Sequence, residues 1–103
     1  MADHRIKLQQ ELCDILGTKN AYFQPPESVK LQFPCIVYDL DHGLQTYSND
    51  MPYTFQRAYQ VTLIDKNPDS ELVEKLAYHF PKSKFDRFFV NDNLNHFVFT
   101  IYY

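Results

Sequence analysis

The chain has no tryptophan, only two glycines and two cysteines, and no surplus of basic charge. Each shortage removes a class of protein. Cys13 and Cys35 stand in separate segments and are too few for a disulfide framework, so two reduced, buried thiols in an intracellular chain are the expectation. Gly17 and Gly43 are isolated, which excludes a glycine-rich phosphate loop. No apolar run reaches membrane-spanning length and the N-terminus carries no signal-peptide pattern, so a cytoplasmic chain without membrane contact is expected. Thirteen acidic against ten basic residues give a formal net charge of −3, which argues against a dedicated binder of phosphate backbones.

What the chain does have is aromatic bulk. Eight tyrosines and nine phenylalanines in 103 residues exceed what so small a core encloses, so several should lie on an exposed or partner-covered surface. The length fits one domain, residues 1–103, burying roughly 60–70% of its unfolded-chain surface and only modestly stable.

The most legible stretch is Arg57–Pro81. Tyr59, Val61 and Leu63 alternate with Ala58, Gln60, Thr62 and Ile64, the pattern of a strand with one face well buried, in a strand expected from about Tyr53 to Ile64. Asn67 then suits a helix cap, Pro68 the first helical position, and Asp69 and Glu71 the positive end of the helix dipole. Leu72, Val73, Leu76, Ala77 and Phe80 recur at helical spacing until Pro81 stops the helix. An earlier helix is expected from Asp3, its cap, to Leu16. Ile6, Gln9, Cys13 and Leu16 form one stripe, Leu8, Leu12 and Ile15 flank it, and Gly17 closes the end.

Ala21–Phe23 reads as a short strand and Cys35–Leu40 as a firm one. Leu44–Tyr47 is expected to return beside it after the turn at Asp41, His42 and Gly43. Ser48–Pro52, flanked by Tyr47, Tyr53 and Phe55, would form a projecting arm. Lys84–Val90 and Leu94–Tyr103 are the last strands, joined by a turn at Asn91–Asn93. The final one carries bulky groups on both faces and so belongs inside the sheet. The fold class expected is α+β: a single domain with a mostly antiparallel sheet and two α-helices packed on one face.

Chemistry is sparse. His4, His42, His79 and His96 are scattered without metal-ligand spacing. His96 has Asn95 and Asp92 nearby to orient its ring, as an ordinary structural histidine would. Asp39, Asp41 and Asp65 stand near strand ends and could in principle hold Mg²⁺ or act as acid and base, although turn and capping duties explain each. No serine sits in a nucleophile-elbow context, and Cys35 enters a buried-looking strand, a poor place for a thiolate. No cofactor and no enzymatic activity are expected.

Three pieces taken together carry a resemblance: FPCIVY at Phe33–Tyr38, YQVTLIDKNPDS at Tyr59–Ser70, and FDR at Phe85–Arg87 followed by DNLNHFVFTIY at Asp92–Tyr102. Their order resembles small tail-terminator or head–tail joining (tail completion) proteins of long-tailed bacteriophages, over most of the chain from Pro25 onward. The resemblance implies a structural virion protein of the neck, assembled in the host cytoplasm. Such a protein forms a homo-oligomeric ring, a hexamer, that caps the tail tube, stops its growth and offers a surface to the head connector. Its partners would be other copies of itself, the tail tube protein and the connector or stopper protein, with DNA passing through the pore without specific binding. Acidic charge and aromatic surface suit that role. Contact residues are then expected at Asp41 and His42, at Tyr47, Asn49, Asp50 and Tyr53 of the arm, and at Asn91, Asp92 and Asn93. A head-completion or stopper protein on the portal side stays open as an alternative, as does, less favoured, a small metal-dependent enzyme using Asp39, Asp41 and Asp65.

Overall fold

A computed structural model describes residues 2–26, 28, 30–40 and 58–103. Helix α1 (Ala2–Leu16) buries Leu8, Leu12 and Leu16, spaced four apart, with Cys13 and Ile15 packed at the margin. The buried stripe is therefore rotated from the expected Ile6–Gln9–Cys13–Leu16 line, of which only Leu16 is fully in the core. Ile6 is 47% exposed. Gln9 is half-buried for a polar reason: its Nε2 donates to the Ala21 carbonyl at 2.8 Å and its Oε1 accepts from the Tyr38 hydroxyl, tying α1 to the sheet. The helix already runs from Ala2, so Asp3 lies inside the first turn rather than ahead of it. At the other end Gly17 takes a φ of +75° and donates to the Cys13 carbonyl at 2.8 Å, a left-handed closure that glycine adopts without strain.

Strands β1 (Ala21–Phe23), β2 (Cys35–Leu40), β3 (Ala58–Asp65), β4 (Ser83–Asn91) and β5 (Leu94–Tyr102) form one sheet in the order β1-β2-β3-β5-β4. Only β1 and β2 run parallel; the other neighbours are antiparallel. The α+β class is as the sequence indicates, and β5 does lie inside the sheet, between β3 and β4. The expected return strand at Leu44–Tyr47 and the start of the long strand before Ala58 lie outside the described residues.

Alternation sorts the sheet into two faces. Ile36 and Tyr38 of β2, Tyr59, Val61 and Leu63 of β3, and Phe97, Phe99 and Ile101 of β5 form one core with Leu8, Leu12 and Leu16 of α1 and with Leu76 and Phe80 of the second-helix region. Both helices thus cover the same face. The opposite face carries Val37, Gln60, Thr62, Ile64, His96, Val98 and Thr100.

Helix α2 (Leu72–His79) begins later than its proline suggests. Asn67 does not cap it. Its Oδ1 accepts the Asp69 N–H at 3.0 Å, and the Asp65 Oδ1 accepts the Asn67 N–H at 3.1 Å, so Asp65–Asp69 is a pair of local side-chain turns. The capping falls to buried Ser70, whose Oγ accepts the Leu72 N–H at 3.3 Å, and Glu71 already has helical dihedrals. Asn and Asp compete with the helix by bonding their own backbone, which delays it by about one turn. At the far end Phe80 is extended ahead of Pro81, and the Ser83 hydroxyl donates to the Phe80 carbonyl at 2.9 Å.

Candidate interaction edge and the groove beside it

β4 is the edge of the sheet. It pairs with β5 on one side, and among the described residues no strand pairs on the other. Every residue from Lys84 to Asn91 is exposed, and no β4 side chain joins the hydrophobic core. Phe85 is 50% exposed, Phe88 46%, Phe89 39% and Val90 59%. On one flank each ring leans on β5: Phe85 meets Phe99 edge-on with centroids 5.3 Å apart, and Phe88 meets Phe97 at 5.0 Å. On the other flank Phe89 stacks on His96 at 4.5 Å with planes 13° apart. Among the described residues, three of the four exposed aromatics, Phe85, Phe88 and Phe89, lie here, Tyr78 being the fourth.

A bulge divides the strand. Phe85 opposes Phe99 and Arg87 opposes Val98, which leaves Asp86 as the extra residue. Asp86 accepts a hydrogen bond from the Thr100 hydroxyl, which places it on the face away from the helices. The strand ends in a two-residue turn in which Asp92 and Asn93 have φ of +53° and +61°, the conformation of tight hairpins and one that Asn and Asp tolerate. Asn91, Asp92 and Asn93, expected as contacts, stand exposed at this tip. The other expected contacts, Asp41, His42, Tyr47, Asn49, Asp50 and Tyr53, lie outside the described residues.

Beside β4, on the face without helices, a groove of about 360 Å³ runs between Pro25 and Leu31 on one wall and Arg87 and Phe89 on the other. Val37 and Val98 are among its floor residues. The groove is mainly apolar, with Arg87 and His96 as its basic groups. His96 turns Nδ1 to the Leu94 carbonyl at 3.1 Å rather than to Asp92, so the expected carboxylate partner is replaced by backbone.

A second cleft, about 420 Å³, lies where α1, α2 and the end of β5 meet. Its centre is Glu11, whose Oε1 is 2.7 Å from His79 Nε2 and whose Oε2 accepts the Tyr103 hydroxyl. Burial alone would raise the Glu11 carboxyl, but the bonds from Tyr103 and His79 and the imidazole charge outweigh it and hold the group below its ordinary 4.5. Tyr103 is pushed up to about 12, by burial and then by the neighbouring Glu11. Glu11 thus bonds both His79 and Tyr103, tying α1 to the end of α2 and to the residue after β5.

The carboxylates weighed for metal chemistry do not converge. Asp39 faces Gln60 across the sheet, and Asp65 lies five residues further along β3, roughly 17 Å at about 3.3 Å per residue. Asp41 is outside the described residues. Among the described residues no three His, Cys, Asp or Glu side chains stand where one ion could join them. Cys35 is fully buried, and burial, with Asp65 near it, pushes its thiol up to about 12.

Sequence reasoning missed Phe85, Arg87, Phe88, Phe89 and Val90. The signal was present: in FDRFFV two charges interrupt the apolar alternation and two aromatics then follow in succession. A bulge with rings on both flanks writes that pattern. Comparison of the chain with protein-family models, with curated proteins and with solved structures finds no match.

Proposed function

We propose that the chain is a structural subunit of a long-tailed bacteriophage neck, a tail-terminator-like protein. Its copies would close into a ring, six-membered as the resemblance implies, over the last ring of tail tube protein. The ring would end tube growth and present a docking surface to the head connector, with DNA passing through its pore. The observation that carries the reading is β4: a strand edge that no described strand pairs, flanked by half-exposed aromatic rings, with the Asp92–Asn93 hairpin tip at its end. Unpaired edges are templates for another chain, and aromatic side chains supply contact area at little entropic cost. The motifs at Phe33–Tyr38, Tyr59–Ser70 and Asp92–Tyr102 supply the neck context.

The test is binding to tail tubes that lack a terminator, read by co-sedimentation and by images of the tube ends. Wild-type chain is expected at one end of each tube, in rings. A Phe88→Ser/Val90→Ser variant is expected to keep its circular dichroism spectrum and lose at least about tenfold in tube affinity, as buried aromatic anchors do at interfaces. Binding to portal vertices instead of tubes would assign the stopper role. Binding to neither, or undiminished binding by the variant, would end the reading.

A further inference from the structure

β4 carries a symmetry that its sequence conceals. Residues opposed across a ladder share a face. By the pairing with β5, Ser83, Phe85, Phe88 and Val90 lie on the helix side, and Lys84, Arg87, Phe89 and Asn91 on the other. Asp86 joins the second group through Thr100. The bulge therefore makes the order of faces read the same in both directions from the Asp86–Arg87 peptide. The backbone obeys the same centre. Lys82 turns its carbonyl inward to the Tyr102 N–H at 2.9 Å, and Asn91 closes the two-residue turn against Leu94. Counting alternate residues inward from both ends leaves Ser83, Phe85, Phe88 and Val90 with their N–H and C=O groups aimed outward.

We propose that two copies of this chain pair β4 to β4, antiparallel, about a two-fold axis through the Asp86–Arg87 peptides. In that register Phe85 opposes Phe88 of the second copy, Ser83 opposes Val90, and each pair joins outward-facing backbone groups on the same side of the sheet. Asp86 of each copy faces Arg87 of the other, twice over, and Lys84 lies opposite the Phe89 ring. A register centred on Phe85, Asp86, Arg87 or Phe88 brings a helix-side position against an opposite-side one at the bulge, and one centred nearer either end of the strand pairs at most five residues in place of eight. Charge, faces and backbone thus select one alignment and one occupant, a second copy. Strand addition of this size is at the low end of specific interfaces, so the dimer is reversible. The pairing follows from the edge alone and does not rest on the neck role. If both hold, the dimer is the state of the free chain, and it must open before β4 contacts anything else.

Sedimentation of the full chain without tail components, from about 1 µM to 1 mM, reads the pairing. The 12.3 kDa chain is expected to pass reversibly to twice its mass. Asp86→Arg and Arg87→Asp should each weaken the dimer at least about tenfold by opposing like charges twice. An equimolar mixture of the two should recover wild-type association, because it restores an Asp–Arg pair at both contacts. As a second measure, a Phe85→Cys/Phe88→Cys variant should oxidise to a covalent dimer where neither single variant does, since bonded antiparallel pairs stand about 5.5 Å apart, within disulfide range. A chain monomeric throughout, a discrete assembly of another mass, or a mixture no tighter than its components would overturn the proposal. So would Phe85→Cys or Phe88→Cys alone cross-linking as well as the two together.

Discussion

At the scale of single residues, this protein places its ionisable groups where they serve packing. Glu11 is the clearest case. It accepts from His79 and Tyr103, and its carboxyl lies below the ordinary 4.5. A depressed carboxyl stabilises the fold above its unfolded-state value and ceases to as pH falls through the folded-state one. The melting temperature of the wild type should therefore drop on acidification below about pH 4.5. Glu11→Gln should start lower and show a shallower acid limb. Equal acid limbs in the two proteins would remove Glu11 from the account. Such a pair is invisible in sequence, since Glu11 and His79 are separated by 68 positions. Cys35, in contrast, is legible: a thiol entering a β-branched run is expected to be buried, and it is, with burial pushing it up to about 12.

At the scale of elements, the strands follow their alternation and the helices depart from theirs at the ends. β5 was read to within a residue because both of its faces are bulky and a turn of Asn and Asp precedes it. The sequence places α2 one turn too early because Asn67, Pro68 and Asp69 suit a helix start and a turn equally well, and local bonds decide for the turn. The capping residue can be told apart by substitution. Ser70→Ala should cost about 1 kcal/mol in urea unfolding, and Asn67→Ala clearly less, because only Ser70 satisfies a helix N–H. The reverse order would mean that the helix starts where the proline implies. On α1 the expected stripe departs differently: Ile6 is exposed and Leu8 and Leu12 are buried in its place, while Gln9 stays inward through bonds to Ala21 and Tyr38 that hydropathy does not encode.

At the scale of the whole molecule, the sheet is asymmetric in what covers it. The helices bury one face over β2, β3 and β5, and β4 lies outside that cover. Stability should follow the same division. Leu12→Ala, in the core under α1, should cost about 2–5 kcal/mol, a large share of the total for a domain of this size. Val90→Thr, on the open edge, should stay within about 0.5 kcal/mol in the same urea titration. A comparable loss from both would show that β4 is part of the folding core and not a surface kept for contact. Composition announced that aromatic surface would be left over. It could not say where, because exposure at β4 follows from where the two helices end.

The position of β5 also sets the timing of folding. It is the last strand in sequence, yet it joins β3 on one side and β4 on the other. Until Leu94–Tyr102 has been synthesised, β3 lacks one of its two neighbours and β4 has none. A growing chain can therefore pair β1, β2 and β3 but cannot complete its sheet until β5 has been made. An interrupted translation product would carry its aromatic strands unpaired, the condition in which such segments aggregate.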